Sequence, residues 1–201
     1  MNRLQALITM SLAPVRPLPS DRKLAWSLVV LFTAFTLITA IPVGYNGFHV
    51  LNAQQKFAYY ALMLVCAACL SITIVQEMIP GSKHRISPRW TIVAAIFSLA
   101  LLVSVLFHNF DLHAFVPLGI PCLRLGCLCA LVSGALSWFA LRRGFFASPL
   151  TASATVGSFA GLAGVAVLAL HCPIQNSAHI IVWHLSVIVL GAIVGAVAGA
   201  L

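Results

Sequence analysis

The sequence predicts an all-α polytopic membrane protein, a bundle of six transmembrane helices with both termini in the cytoplasm. Three observations carry this. The 201 residues are 62% hydrophobic and only 7% charged, against about 25% charged in a soluble domain, so the chain cannot cover a water-facing surface. Six apolar runs reach, or nearly reach, the roughly 20 helical residues needed to cross a hydrocarbon core of about 30 Å. The basic residues segregate to alternate connections between those runs.

The runs divide the chain into a cytoplasmic N-terminal segment, 1–23, and a six-helix transmembrane domain, 24–201. The first run is 24–43; with an apolar stretch this long and no small-residue cleavage site, it reads as a span rather than a signal peptide. The second, 57–76, is bracketed by Lys56 and Glu77. The third is 90–107. The fourth, 125–141, is bracketed by Arg124 and Arg142. The fifth is 150–170 and the sixth 178–201. The third and fourth are short, and the fourth is expected to draw on 121–124 and on snorkelling arginines.

Charge orients the bundle. Arg3, Arg16, Arg22 and Lys23 precede the first run, Lys83, Arg85 and Arg89 separate the second from the third, and Arg142 and Arg143 separate the fourth from the fifth. These nine of the 11 basic residues fall on one side, which the positive-inside rule makes cytoplasmic. The net charge of +8 is therefore a membrane-orientation signal and not a footprint for direct nucleic-acid binding. Histidines divide the opposite way: His49, His108, His113, His171, His179 and His184 fall at the outer side, and only His84 inside.

The last three runs carry small-residue stripes: Gly126, Ala130 and Gly134; Gly157, Gly161 and Gly164; Gly191, Gly195 and Gly199. Small residues at helical spacing let backbones approach closely in lipid, where packing drives association. Gly157, Gly161, Gly191, Gly195 and Gly199 are read as helix-packing positions in a tight C-terminal bundle. No run holds an ionisable residue near its centre, which argues against an ion pump or proton-coupled transporter. There is no phosphate-cradling glycine loop and no Ser-His-Asp set, so an enzyme is not expected.

The chemistry concentrates in residues 171–184, where His171, Cys172, His179, Trp183 and His184 fall within fourteen positions. Cys66 and Cys69 have a redox or metal spacing but sit mid-span and read as packing; so do Cys127 and Cys129. Cys122 and Cys172 differ. Each adjoins a proline, Pro121 or Pro173. Cys122 opens the fourth span and Cys172 closes the fifth. Those spans are joined by a short turn, so they are antiparallel neighbours whose outer ends meet. A disulfide is then feasible in an oxidising compartment. Alternatively the thiols join His171, His179 and His184 in a soft N/S site for zinc or copper. On a regular helix His179 and Trp183 share a face, with Trp183 an interfacial anchor.

Before the first span, Leu12, Pro14, Val15, Arg16 and Pro17 lie in a segment with three prolines in six residues. Such a segment is extended and stiff, a candidate partner-binding peptide. The chain resembles the NrsF-like family, six-span bacterial inner-membrane negative regulators of sigma-F. The matching residues run from Leu12 through Pro19, then Pro80, Gly81 and Ser82, Cys122, Leu141 through Gly144, and Leu170, His171, Cys172 and Pro173, with Trp183 near the end. The resemblance implies that the protein holds an extracytoplasmic-function (ECF) sigma factor at the inner membrane. It would release that factor when Cys122 and Cys172 sense oxidant or metal stress. From the residues alone, a structural or accessory subunit of a larger inner-membrane complex fits equally well, and a metal-handling protein using His171, Cys172, His179 and His184 is a third reading.

Overall fold

The computed structural model describes residues 20–78, 87–107, 115–142, 144, 146 and 148–201. Residues 12–17 lie outside them, and so do 80–82 and 143. Among the described residues the regular structure is helical throughout. Six helices are long and apolar enough to cross a membrane, as a multi-pass membrane protein requires.

Helix α1 is Asp21–Val43, with Asp21 in its first turn, where an acid complements the helix dipole. It ends at Pro42 and Gly44. Gly44 takes φ +97°, a left-handed conformation that favours glycine, and its N–H closes on the Ala40 carbonyl at 2.8 Å. A five-residue helix, α2, is Asn46–Val50. Helix α3 is Ala53–Glu77. It opens with a capping box in which Asn52 Oδ1 accepts from the Gln55 N–H (2.8 Å) and Gln55 Oε1 accepts from the Asn52 N–H (3.1 Å), satisfying two otherwise orphaned donors. Helices α4, Pro88–Leu106, and α6, Pro149–His171, each start with proline directly after serine. Proline's fixed φ and missing N–H suit a first helical turn.

Helix α5 is Phe115–Leu141, ten residues longer at its start than the apolar run 125–141. Val116, Leu118 and Ile120 extend its apolar face outward and are exposed. Pro121 lies inside it. Proline removes one backbone donor and frees one carbonyl, which is tolerable near a helix start. Cys122 therefore sits about two turns inside α5 rather than at its opening. The last span, α7, is Ser177–Ala200. It contains a π-helical turn at Ile180–His184.

Helix α6 is the axis of the bundle. Residues 158–170 are buried without interruption, whereas Trp26, Phe57, Trp90, Phe97, Trp138 and Phe139 on other spans are exposed, as side chains turned toward lipid would be. The glycine stripes sit where α6 meets α7 and α5. A methyl group added at Gly157 would strike the Gly191 carbonyl, and one at Gly191 would strike the Gly157 carbonyl. The same holds for Gly195 against the Ser153 carbonyl, Gly199 against the Pro149 carbonyl and Gly161 against the backbone of Val187 and Ile188. This succession shows α6 and α7 antiparallel and in backbone contact from Pro149 against Gly199 to Gly161 against Val187 and Ile188. On the other flank, Phe32 of α1 meets Phe159 of α6 at 5.8 Å between ring centroids. Tyr60 Oη of α3 donates to the Ala169 carbonyl at 3.1 Å.

The end of the bundle holding Asp21 and Pro149 has its own tie. Thr151 Oγ1 donates to the buried Glu77 carboxylate at 3.0 Å, joining α6 to α3. A buried hydrogen bond contributes about 1 kcal/mol net. Thr151→Ala should therefore lower unfolding free energy by about 1–2 kcal/mol in denaturant titration of the micelle-solubilised protein, and Thr151→Ser should restore most of it. An unchanged midpoint in Thr151→Ala would show that this tie is not stabilising.

Candidate functional site

Four side chains from three segments converge at the opposite end of the bundle. Cys122 comes from α5, Cys172 from the connection after α6, and His179 and His184 from the start of α7. One ligand-type atom from each, two Sγ and two imidazole nitrogens, lie within 4.8 Å of one another. The sulfurs are 3.6 Å apart, and Cys172 Sγ is 3.5 Å from His179 Nε2. Cys172, His179 and His184 are each 2% exposed or less, and Cys122 is half-buried.

Each position has a local cause. Cys172 is where α6 stops: its N–H bonds back to the Leu168 carbonyl at 2.7 Å, and its own backbone is extended, as a residue preceding Pro173 prefers. Gln175 Nε2 donates to the Cys172 carbonyl at 2.8 Å, closing a turn of the connection on that residue. Gly47 of α2 packs on the same turn, where an added methyl would meet the Cys172 and Ala169 carbonyls. Asn176 begins α7: its Oδ1 accepts from the His179 N–H at 2.7 Å, a side-chain N-cap.

The π-turn decides which residues of α7 face the cysteines. Its signature is the Leu185 N–H bonding to the Ile180 carbonyl at 3.0 Å, five residues back. On a regular α-helix, residues five apart sit about 140° around the axis from each other. With one more residue per turn, His179 and His184 come together instead, with ring centroids 5.1 Å apart and edge to face. Trp183 is displaced from the face of His179. Its ring lies over Gly119 of α5, where an added methyl would overlap the indole, and 5.4 Å from Phe115. Trp183 is thus half-buried in a helix contact. Single π-turns inside α-helices occur often at functional sites.

Polar satisfaction is incomplete here. Both ring nitrogens of His184 are buried without a hydrogen-bond partner, a condition that costs free energy unless something accepts the lone pair or proton. The proton shared with Cys122, and then burial, push the Cys172 thiol above its ordinary range, because a buried thiolate is poorly solvated.

Of the residues singled out from the sequence, Cys122, Cys172, His179 and His184 are brought together. His171 is not among the four. Cys66 is buried beside Ser98, at 3.8 Å, while Cys69 is exposed, so this pair does not share a site. Asn176, Gln175, Gly119 and Gly47 were not anticipated. For Asn176 a signal was present, an Asn directly before an apolar helical run.

The family model described as NrsF, negative regulator of sigma F, matches residues 8–201. No curated protein and no solved structure matches the chain. The match covers the cysteine–histidine end of the bundle together with all six spans, and the chain belongs to the NrsF family of negative regulators of sigma F.

Proposed function

We propose that this protein holds an ECF-type sigma factor at the bacterial inner membrane and releases it when the Cys122–Cys172 pair is oxidised or takes up a thiophilic metal. A negative regulator of sigma F implies a sigma-factor partner. The observation that carries the sensing half is the 3.6 Å separation of the two sulfurs on different elements. Closing it to the roughly 2.05 Å of a disulfide is a small displacement. An oxidant accepts the two electrons, and the two thiol protons leave. Cys122, half-buried, meets the oxidant; Cys172, 1% exposed, resolves it.

The segregation of basic residues supports a periplasmic placement of this end of the bundle and a cytoplasmic one for the segment 1–23, with Leu12, Pro14, Val15, Arg16 and Pro17, beside the sigma factor. A change at Cys122 and Cys172 moves α5 against α6. Helix α6 packs on α1, α3, α4, α5 and α7, so that motion reaches the helix that carries the N-terminal segment.

The test uses the full-length protein in detergent with a tag, its sigma factor captured from a reduced extract and identified by mass spectrometry. Reduced wild type should retain the factor, and mild oxidation should release at least tenfold more than the reducing control. Cys122→Ser and Cys172→Ser should each retain it through oxidation. Failure of the reduced protein to hold any sigma factor, or undiminished release from both variants, defeats the proposal.

A further inference from the structure

The geometry points to a four-coordinate Cys2His2 site, formed by Cys122, Cys172, His179 and His184, for a divalent d10 cation of the zinc class. As a binding site it stands on geometry alone; as regulation it rests on the sensor reading above.

Two edges of the cluster have the lengths a tetrahedral site requires. With Zn–S about 2.3 Å and Zn–N about 2.05 Å, the edges of a tetrahedral site are about 3.8 Å between sulfurs and about 3.6 Å from sulfur to nitrogen. The two edges seen here are 3.6 Å, between the sulfurs, and 3.5 Å, from Cys172 Sγ to His179 Nε2. All four donors fall within 4.8 Å of one another.

An independent observation points to a ligand. His184 is 1% exposed and neither of its ring nitrogens has a hydrogen-bond partner. An imidazole held this way is an unused lone pair turned into the cluster, and coordination would satisfy it. The π-turn is what delivers it; with α-helical geometry at 180–184, His184 would point away from His179.

Charge selects the ion. Two thiolates and two neutral imidazoles carry −2 together, and the cluster contains no acid or permanent cation. A divalent ion makes the site neutral, which burial favours; a monovalent ion such as Cu(I) leaves one uncompensated negative charge. Binding is balanced: one M2+ enters, each thiol gives up its proton, and two protons leave. Asn176, bonded to the His179 backbone, and Gln175, bonded to the Cys172 carbonyl, fix the loop that supplies ligands, as outer-shell partners do at metal sites.

A bound ion would cross-link α5, the connection after α6 and α7. It would also occupy both sulfurs, so a loaded site could not form the disulfide until the ion left. Metal occupancy and oxidation become mutually exclusive ways of engaging the same two sulfurs.

The test uses full-length protein purified reduced and without oxygen in detergent. Zinc is titrated against a chromophoric chelator, Co(II) serves as the optical reporter, and Cu(I) is the competing arm. Expected are one zinc per chain, a tetrahedral cobalt spectrum with thiolate charge transfer, and an X-ray absorption shell of two sulfurs and two nitrogens. Cys122→Ser and Cys172→Ser should abolish binding. His179→Ala and His184→Ala should each weaken it at least tenfold, while Cys66→Ser and Cys129→Ser bind as wild type. Several results overturn the site: no stoichiometric zinc, a wild-type shell lacking sulfur or nitrogen, wild-type affinity in both histidine variants, or preference for Cu(I) over zinc. The absorption shell is read on wild type, so a misfolded variant does not remove the test. Sigma-factor retention is measured on the same preparations: retention and oxidant release without zinc binding overturn this site and leave the sensor reading intact.

Discussion

Replacing Gly157 with leucine should destabilise the bundle more than any single cysteine or histidine substitution. The α6–α7 contact is backbone on backbone. A methyl group at 157 already overlaps the Gly191 carbonyl and lies 3.2 Å from the Gly195 Cα. Neither neighbour is a side chain that can rotate aside, so the helices must separate. Association of helices in lipid depends on close packing, with no hydrophobic drive between helix and acyl chain to replace it. Overpacking a well-filled core costs typically about 1–3 kcal/mol, and backbone obstruction along a helix pair belongs at or above the top of that range. Gly191→Leu should behave alike, because its added carbon strikes Gly157 in return. Gly134→Ala is the contrast. Its methyl would lie 3.5 Å from the Ala160 Cβ, an ordinary contact, and alanine gains up to about 1 kcal/mol in helix propensity over glycine. Unfolding followed by circular dichroism in mixed micelles should show a loss of about 3 kcal/mol or more for Gly157→Leu and none for Gly134→Ala. Equal midpoints for the two would refute the backbone-contact account.

The six spans were legible because their determinants are local. Apolar length and alternating basic connections each act through nearby residues. The Cys122–Cys172 pairing was legible for a related reason: a short connection between two spans forces their far ends together. The start of α5 was less legible: Arg124 marks the edge of the apolar run, but the helix continues back through Pro121 and Pro117 to Phe115. The identity of the histidine partners was hidden more deeply. A helical wheel at 3.6 residues per turn pairs His179 with Trp183, whereas the chain pairs His179 with His184. The π-turn that makes the difference is a tertiary effect. Trp183 needs the bare backbone of Gly119 on another helix, and nothing within 177–186 announces that contact. His171 lies outside the group of four, because sequence adjacency to Cys172 is not spatial adjacency to its sulfur.

Substituting Gly164 with leucine should uncouple the two sulfurs while leaving both cysteines in place. Gly164 lies two turns before Cys172 on the axial helix α6, and an added methyl would strike the carbonyl of Gly126, with Val187 Cγ1 at 3.1 Å. Gly126 is one turn beyond Cys122 on α5. A leucine at 164 therefore acts as a wedge between the two helices close to the sulfurs they carry. A disulfide needs Cβ atoms about 3.8 Å apart and sulfurs about 2.05 Å apart, so even a modest separation of α5 from α6 removes the geometry that now holds the sulfurs at 3.6 Å. Oxidant-driven disulfide formation, read by the mass shift of thiol alkylation in isolated membranes, should fall at least tenfold in Gly164→Leu. It should fall by an intermediate factor in Gly164→Ala and hold at the wild-type rate in Gly134→Ala, which lies two turns further along α5. Sigma-factor release by oxidant should fall in the same order. A wild-type rate of disulfide formation in Gly164→Leu would mean that the sulfurs are positioned by the 172–177 connection alone. The glycine stripe would then be packing without a part in signalling. A graded loss would make the stripe and the switch one device, in which close approach of α5 to α6 is what the thiol pair reports.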